Sequence, residues 1–214
     1  YDLLSAAVVD DNGRLVGVLT IDDVVDVIQE EAEEDFMRLG GVGDEELSDS
    51  LIDTSRSRVP WLMVNLVTAF MAASVIGLFE GTIQEIVALA VLMPIVAGMG
   101  GNAGSQTMTV TVRALATRNL DIHNAWRVIR REAGVGLING LFFGIVVGVV
   151  SGFWFEDANL GFVISAAMII NMFAAAVAGI AIPMVLDRTG ADPAVSSAVF
   201  VTAITDIAGF FSFL

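Results

Sequence analysis

From Ile86 to Val112 the chain carries no charged residue, and apolar side chains dominate four more stretches of similar character. A spanning helix needs about 20 mainly apolar residues rising 1.5 Å each. Five segments meet that requirement: approximately Trp61 to Phe79, Ile83 to Val112, Ala133 to Phe155, Leu160 to Leu186 and Ala194 to Leu214. The second and fourth exceed the minimum, so they are expected to tilt or to project beyond the bilayer. The pattern predicts an all-α membrane domain of five transmembrane helices over residues 59–214.

Upstream the periodicity changes. Ala6-Ala7-Val8-Val9 and Leu15-Val16-Gly17-Val18-Leu19 read as strands, joined by Asp11-Asn12-Gly13-Arg14 with its Asn-Gly hairpin signal. Thr20 suits a helix N-cap, with Asp22 and Asp23 in the first turn, where the helix dipole favours acids. Val24, Val25, Ile28, Ala32, Phe36 and Leu39 then form an apolar stripe at helical spacing, while Asp26, Glu30, Glu31, Glu33, Glu34 and Asp35 load the remainder. Gly40-Gly41-Val42-Gly43 ends that helix, and a shorter acidic stretch from Asp44 to Asp53 leads to the membrane. Residues 1–29 thus read as a fragment of a small α/β domain and residues 30–58 as acidic connecting helices. A hairpin and one helix cannot bury a core alone, so preceding sequence is expected to complete that domain. The opening YDLLSAAVVDDNGR has neither the basic start nor the long apolar core of a secretory leader.

Composition agrees with two bodies in different solvents. The chain is 56% hydrophobic with a mean hydropathy of +0.78, too apolar for a soluble domain of its length. Residues 1–58 hold sixteen Asp and Glu against four Arg, giving −12, whereas residues 59–214 hold nine against six, giving −3. The overall −15 and the absence of Lys argue against a nucleic-acid partner. An acidic, water-facing part instead attracts cations. With no Cys there are no disulfides, thiolate metal sites or cysteine nucleophiles. The single His123 lies in an Arg-rich loop and reads as a surface residue.

Arginine placement sets an expected orientation, because short cationic loops stay cytoplasmic. Arg56 and Arg58 precede the first span, five Arg from Arg113 to Arg131 separate the second and third, and Arg188 separates the fourth and fifth. The other two loops carry only acids, Glu80 and Glu85 in one, Glu156 and Asp157 in the other. The N-terminal part is therefore expected inside and the C-terminus outside.

The sharpest chemical signal is Asp206 in the fifth span, amid Ala203, Ile204, Ile207, Ala208 and Gly209. A carboxylate near mid-membrane costs about 3 kcal/mol on insertion scales, so it normally faces a pore or a partner. Thr202 stands one turn before it and Gly209 nearly one turn after, a face able to hold a cation. The competing reading is a protonated acid bonded to a neighbouring helix. In the second span Met99, Asn102 and Gln106 share a face, and Gly98, Gly100, Gly101 and Gly104 leave room for a helix or a hydrated ion. Pro94 frees a carbonyl, a device tolerated at depth where it lines a cavity or is covered by protein. Asp192 before Pro193 is either a helix N-cap or a metal ligand. Gly136, Gly140, Gly144, Gly148 and Gly152 form a packing stripe down the third span. Asn171 in the fourth is either an interhelical hydrogen bond or pore lining. Five acids in six positions from Glu30 to Asp35 repel unless cations intervene.

These residues resemble a known family. Pro94-x-x-x-Gly98-x-Gly100-Gly101-Asn102-x-Gly104-x-Gln106, then Arg113-Ala114-Leu115-Ala116-Thr117-Arg118, Asp192-Pro193-Ala194 and Thr205-Asp206-x-x-Gly209 are similar to the MgtE magnesium channels and transporters. Gly13-Arg14-Leu15-Val16-Gly17 with Thr20-x-Asp22-Asp23-Val24-x-Asp26-Val27 resembles the end of that family's second CBS domain, followed by its plug helix. The resemblance covers nearly the whole chain in order and leaves out the family's N-terminal domain and first CBS domain.

The resemblance implies a homodimer of five-helix subunits in a prokaryotic plasma membrane, with one Mg²⁺ path on the two-fold axis. It implies a pore ion at Asp206 with Asn102 nearby, and contributions through water from backbone near Gly98 and Thr202. It further implies regulatory Mg²⁺ held by Asp23, Asp26, Glu31, Glu34 and Asp35, with metal also at Asp192. Chemistry agrees: Mg²⁺ keeps several waters while touching one or two carboxylates, whereas Ca²⁺ wants a richer oxygen cage than this membrane segment offers. A membrane potential of 100 mV contributes about 4.6 kcal/mol for a divalent ion, twice the roughly 2.3 per unit charge, so influx needs no coupled energy source. No phosphate-binding loop is present, and no enzymatic activity is expected. The rival readings are a proton- or sodium-coupled carrier in which Asp206 titrates, and a divalent-ion receptor that does not conduct.

Overall fold

A computed structural model describes residues 4–42, 48–118, 120, 122–190 and 192–214, and at 35, 122, 123, 195 and 196 the backbone alone. The elements run β1 (Ser5–Val9), β2 (Leu15–Thr20), α1 (Ile21–Leu39), α2 (Leu51–Leu78), α3 (Glu80–Glu85), α4 (Val87–Ala116), α5 (Ile122–Trp154), α6 (Ala158–Thr189) and α7 (Pro193–Phe213).

The predicted hairpin is present. β1 and β2 pair antiparallel with Ala7 opposite Val18, and the register slips between Val8 and Val9. Asp10 anchors the turn by accepting from the N–H of Asn12 at 2.9 Å and of Arg14 at 2.8 Å, and Gly13 takes φ +76°, the left-handed region that glycine enters without strain. Helix α1 starts at the predicted cap: the Thr20 N–H and hydroxyl both donate to Asp23 Oδ2, at 2.8 and 2.6 Å. It ends in a Schellman motif, with Val42 N–H bonding Met37 O at 3.1 Å and Gly41 N–H bonding Arg38 O at 2.9 Å. Gly41 must be glycine twice over, for its φ of +70° and because a Cβ there would run into the Trp61 indole.

Four helices, α2, α4, α5 and α6, are long and apolar enough to cross a membrane, and the described apolar part of α7, Ser197–Phe213, is shorter. The chain is an integral membrane protein, mostly helical with one two-stranded sheet. Predicted bounds move at three spans, and the third begins eleven residues before the expected Ala133, with α5 starting at Ile122. The first span begins ten residues early, because Ser50 caps α2 by accepting from Asp53 N–H at 3.3 Å and donating to Asp53 Oδ2 at 2.6 Å. The second splits at Ile86 (φ −124°, ψ 78°) into α3 and α4.

Lipid tails are as apolar as leucine, so these helices associate through close packing and hydrogen bonds rather than water exclusion. Helix α6 is the hub, packed against α4, α5 and α7. The stripe of five glycines along α5 meets it backbone to backbone. A Cβ on Gly136 would lie 2.8 Å from Met172 O, one on Gly140 2.9 Å from Ile169 Cα, and one on Gly144 2.9 Å from Ser165 O. Ser165 Oγ donates across this seam to Gly144 O and along its own helix to Gly161 O, each at 2.8 Å. Leu92, Val96, Ile164, Ala167 and Phe213 form a core where the N-terminal halves of α4 and α6 meet the end of α7. At the opposite end of the bundle, Met108, Val112, Ala194 and Val201 form another, and Leu39 of α1 packs on it.

Candidate cation site

The predicted pore residues lie on α4 and α7, which pack on one another and on α6. Their register follows from two contacts. A Cβ on Gly104 would meet Val201 Cγ1 at 2.6 Å, whereas one on Gly209 would meet Val96 Cγ1 at 3.1 Å. The helices therefore run antiparallel, and Asp206, between Val201 and Gly209, is level with the stretch from Gly98 to Asn102. On that level Gly98, Asn102 and Thr202 are exposed and Asp206 is partly buried. Open space surrounds Gly98 and Gly101, where an added Cβ would meet nothing within 4 Å.

Asp206 makes no hydrogen bond or ion pair among the described residues, so the alternative of an acid bonded to a neighbouring helix finds no partner there. One protomer thus carries a carboxylate, an amide, a hydroxyl and accessible backbone at one level of the bundle, outside the packed seam between α4 and α6. Such oxygen donors suit a hard cation that keeps much of its water. Pro94 is exposed and α4 continues through it unbroken.

Asn171, for which both roles stood open, is an interhelical hydrogen bond: it is fully buried, and Nδ2 donates to Val96 O of α4 at 2.8 Å.

The acids expected to sense the ion are only partly brought together. Asp23 is committed to its cap, where bonding from Thr20 holds its carboxyl below the usual range. Asp26 and Glu31 are exposed on α1. Asp35 lies in α1 with its side chain outside the described residues, as do the side chain of His123 and residues 43–47 of the second acidic stretch. Glu34 and Asp192 do meet, through a residue the sequence reading passed over. Arg38 Nη2 pairs with Glu34 one turn back, and Arg38 Nη1 donates to Asp192 Oδ2 at 2.6 Å. Asp192 also caps α7, Oδ1 accepting from Ala194 N–H at 2.8 Å. A Glu four residues before an Arg was the available signal for half of this link; nothing local announces Asp192. Among the described residues no three His, Cys, Asp or Glu side chains gather as a metal site.

Beyond the outward face, a recess of about 140 Å³ between α4, α5 and α6 is lined by Gln106, Thr107, Glu132 and Asn139 among others. Gln106 stands one turn beyond Asn102, and Glu132 was not singled out in the sequence because it opens a span amid arginines.

Comparison with known proteins bears on this arrangement. A family model for MgtE, described as a divalent cation transporter, matches residues 93–214, from Met93 just before Pro94 through Asp206. The chain belongs to the MgtE family. It is 39% identical to the magnesium transporter MgtE of Enterococcus faecalis over 97% of its own length and 46% of that protein. It is 38% identical to the Thermus thermophilus MgtE over 100% of its length and 48% of that protein, and 34% identical to the Bacillus subtilis MgtE over 97% and 46%. The chain thus spans about half the length of these MgtE proteins.

Proposed function

We propose that the protein is a Mg²⁺-selective, Mg²⁺-gated channel that carries passive Mg²⁺ influx as a homodimer, with the ion path on its two-fold axis. Support comes from its family, whose relatives named above are magnesium transporters, and from one observation above others. Asp206 has no partner among the described residues and stands level with Gly98 and Asn102, which its own chain leaves exposed. A carboxylate in a membrane helix is tolerated when it lines a wet path or meets a partner. Two copies facing across an axis supply both, placing two Asp206 carboxylates, two Asn102 amides and backbone near Gly98 and Thr202 around one hydrated divalent ion. Helix α7, 21 residues long, rises about 30 Å and serves as the fifth span. The arginine pattern supports a cytoplasmic N-terminus and an external C-terminus.

In this reading residues 1–29 end a CBS domain, 30–58 are plug and connecting helices, and 59–214 form the pore domain. Asp23, Asp26, Glu31, Glu34, Asp35 and Asp192 form the sensor. High internal Mg²⁺ screens their repulsion and holds α1 against the foot of α7, and low Mg²⁺ releases it. The Glu34–Arg38–Asp192 link already joins those two helices, so a divalent ion there competes with a guanidinium.

Mg²⁺ uptake into proteoliposomes tests the assignment. Asp206→Ala is expected to lower it by about a hundredfold or more, since a removed charge-stabilising group is worth roughly 3 kcal/mol. Wild-type uptake by that variant removes the centre of the proposal, and flux that requires a proton or Na⁺ gradient converts the channel into a carrier.

A further inference from the structure

We propose that Asn171 is the positioning residue of the cation site: its buried amide sets how far α4 and α7 stand apart at the level of Gly98, Asn102 and Asp206. The inference rests on the assignment of Asp206 and Asn102 to that site, and it adds a residue on a third helix that does not face the ion.

Three observations place the amide as a spacer. Asn171 is 0% exposed, and because a carbonyl only accepts, its Nδ2 must be the atom facing Val96 O at 2.8 Å. On the α4 side, a Cβ at Gly100 would run into Nδ2 and come within 2.7 Å of Cγ and 2.8 Å of Oδ1. On the α7 side, a Cβ at Gly209 would stand 2.7 Å from Nδ2 and 3.1 Å from Cγ. The amide is thus seated between two glycine backbones, one on each site helix. Gly100 lies midway between Gly98 and Asn102, and Gly209 lies three residues past Asp206, so both contacts act within one turn of the site residues.

Packing alone does not account for an amide here. Among the described residues Asn171 Oδ1 is buried with no hydrogen-bond partner, a cost that a leucine filling the same slot would avoid. What leucine lacks is the bond to Val96 O, which ties α6 to α4 at a fixed distance. Binding sites work when their groups are held within about 0.5 Å of the productive geometry, and an amide hydrogen-bonded to one helix and seated between two glycine backbones fixes direction as well as distance, which apolar contact alone does not. The strut positions; the ion touches only the outward residues.

The test uses the full-length protein in proteoliposomes, with Mg²⁺ and Ca²⁺ as the probe ions and with membrane abundance and melting temperature recorded for each variant. Asn171→Ala is expected to keep the maximal Mg²⁺ rate within about threefold while raising the half-saturating Mg²⁺ and lowering the preference for Mg²⁺ over Ca²⁺ by about fivefold each. Gly100→Ala is expected to lower the rate about tenfold, and the double variant Gly100→Ala/Asn171→Ala to recover most of it, because the added methyl then occupies the space the amide left. Asn171→Leu, which fills the slot without the donor, is expected to stay abundant and to show the same loss of preference. Unchanged half-saturation and preference in both Asn171→Ala and Asn171→Leu overturn the proposal, as does a double variant whose defects simply multiply. Asp206→Ala run alongside separates the two ideas: if it is inactive while the Asn171 variants behave as wild type, the site stands and the strut falls; if it transports normally, both fall.

Discussion

The two faces of α4 both carry glycine and do opposite things. Leu92, Val96, Gly100, Gly104 and Met108 are buried against α6 and α7, whereas Gly98 and Asn102 are exposed, at the level where Asp206 of α7 is partly buried. Glycines occur on both. At Gly104 a Cβ would strike Val201 at 2.6 Å, while at Gly98 and Gly101 it would meet nothing. A glycine in a membrane helix therefore marks either a seam or an opening, and only the neighbouring helix tells which. The same division holds for amides, with Asn171 of α6 locked in the seam and Asn102 exposed on the open face.

The largest effect should come from the seam. Gly104→Leu forces a branched side chain between α4 and α7, and overpacking of this kind costs about 3 kcal/mol or more when backbone must move. Loss of folded protein on detergent thermal denaturation checks it; a Gly104→Leu protein melting like wild type would mean that the two faces are not packed as described. On the open face the expectation reverses. Asn102→Ala should leave the melting temperature unchanged and lower Mg²⁺ uptake about tenfold, the loss expected for one neutral hydrogen-bonding group worth roughly 1.4 kcal/mol. A drop in melting temperature with intact uptake would move Asn102 to the seam.

Smaller effects belong to the junction between α1 and the bundle. Both partners of the Arg38–Asp192 pair are about a third exposed, so Arg38→Gln should change stability by less than about 1 kcal/mol. Its visible consequence should be a shifted internal Mg²⁺ concentration for half-closure in patch recordings; an unmoved value separates the link from gating. The smallest effect concerns Thr20→Ala. Bonding from Thr20 lowers the Asp23 pKa in the folded state, so the cap's contribution is present above the ordinary carboxylate pKa and is lost as pH falls through the depressed one. Carboxyl NMR should find Asp23 titrating nearer its ordinary value in Thr20→Ala, and an unchanged titration would deny the hydroxyl its part.

Much of the fold was legible because its causes are local. Alternating apolar residues around Asn12-Gly13 produced the hairpin, and Thr20 with Asp23 started α1 where an N-cap belongs. Apolar runs of membrane length produced α2, α4, α5 and α6, and the five-glycine stripe found its partner in α6. The errors were also local in origin: Ser50 and Asp53 extended α2 through polar residues that hydropathy discounts, and the break at Ile86 falls where Gln84 and Glu85 meet the uncharged run.

What the sequence determined by itself, then, was which segments are helices, which of them suit lipid, and that Asp206 is out of place unless it has work to do. Periodicity and capping act within a turn or two, and a carboxylate among aliphatic residues is conspicuous in any register. Tertiary structure decided which glycines close a seam, that Asn171 reaches Val96 across 75 positions, and that Arg38 reaches Asp192 across 154. Those choices depend on the rotation of one helix against another, and a rotation between distant segments leaves no mark in the spacing of either.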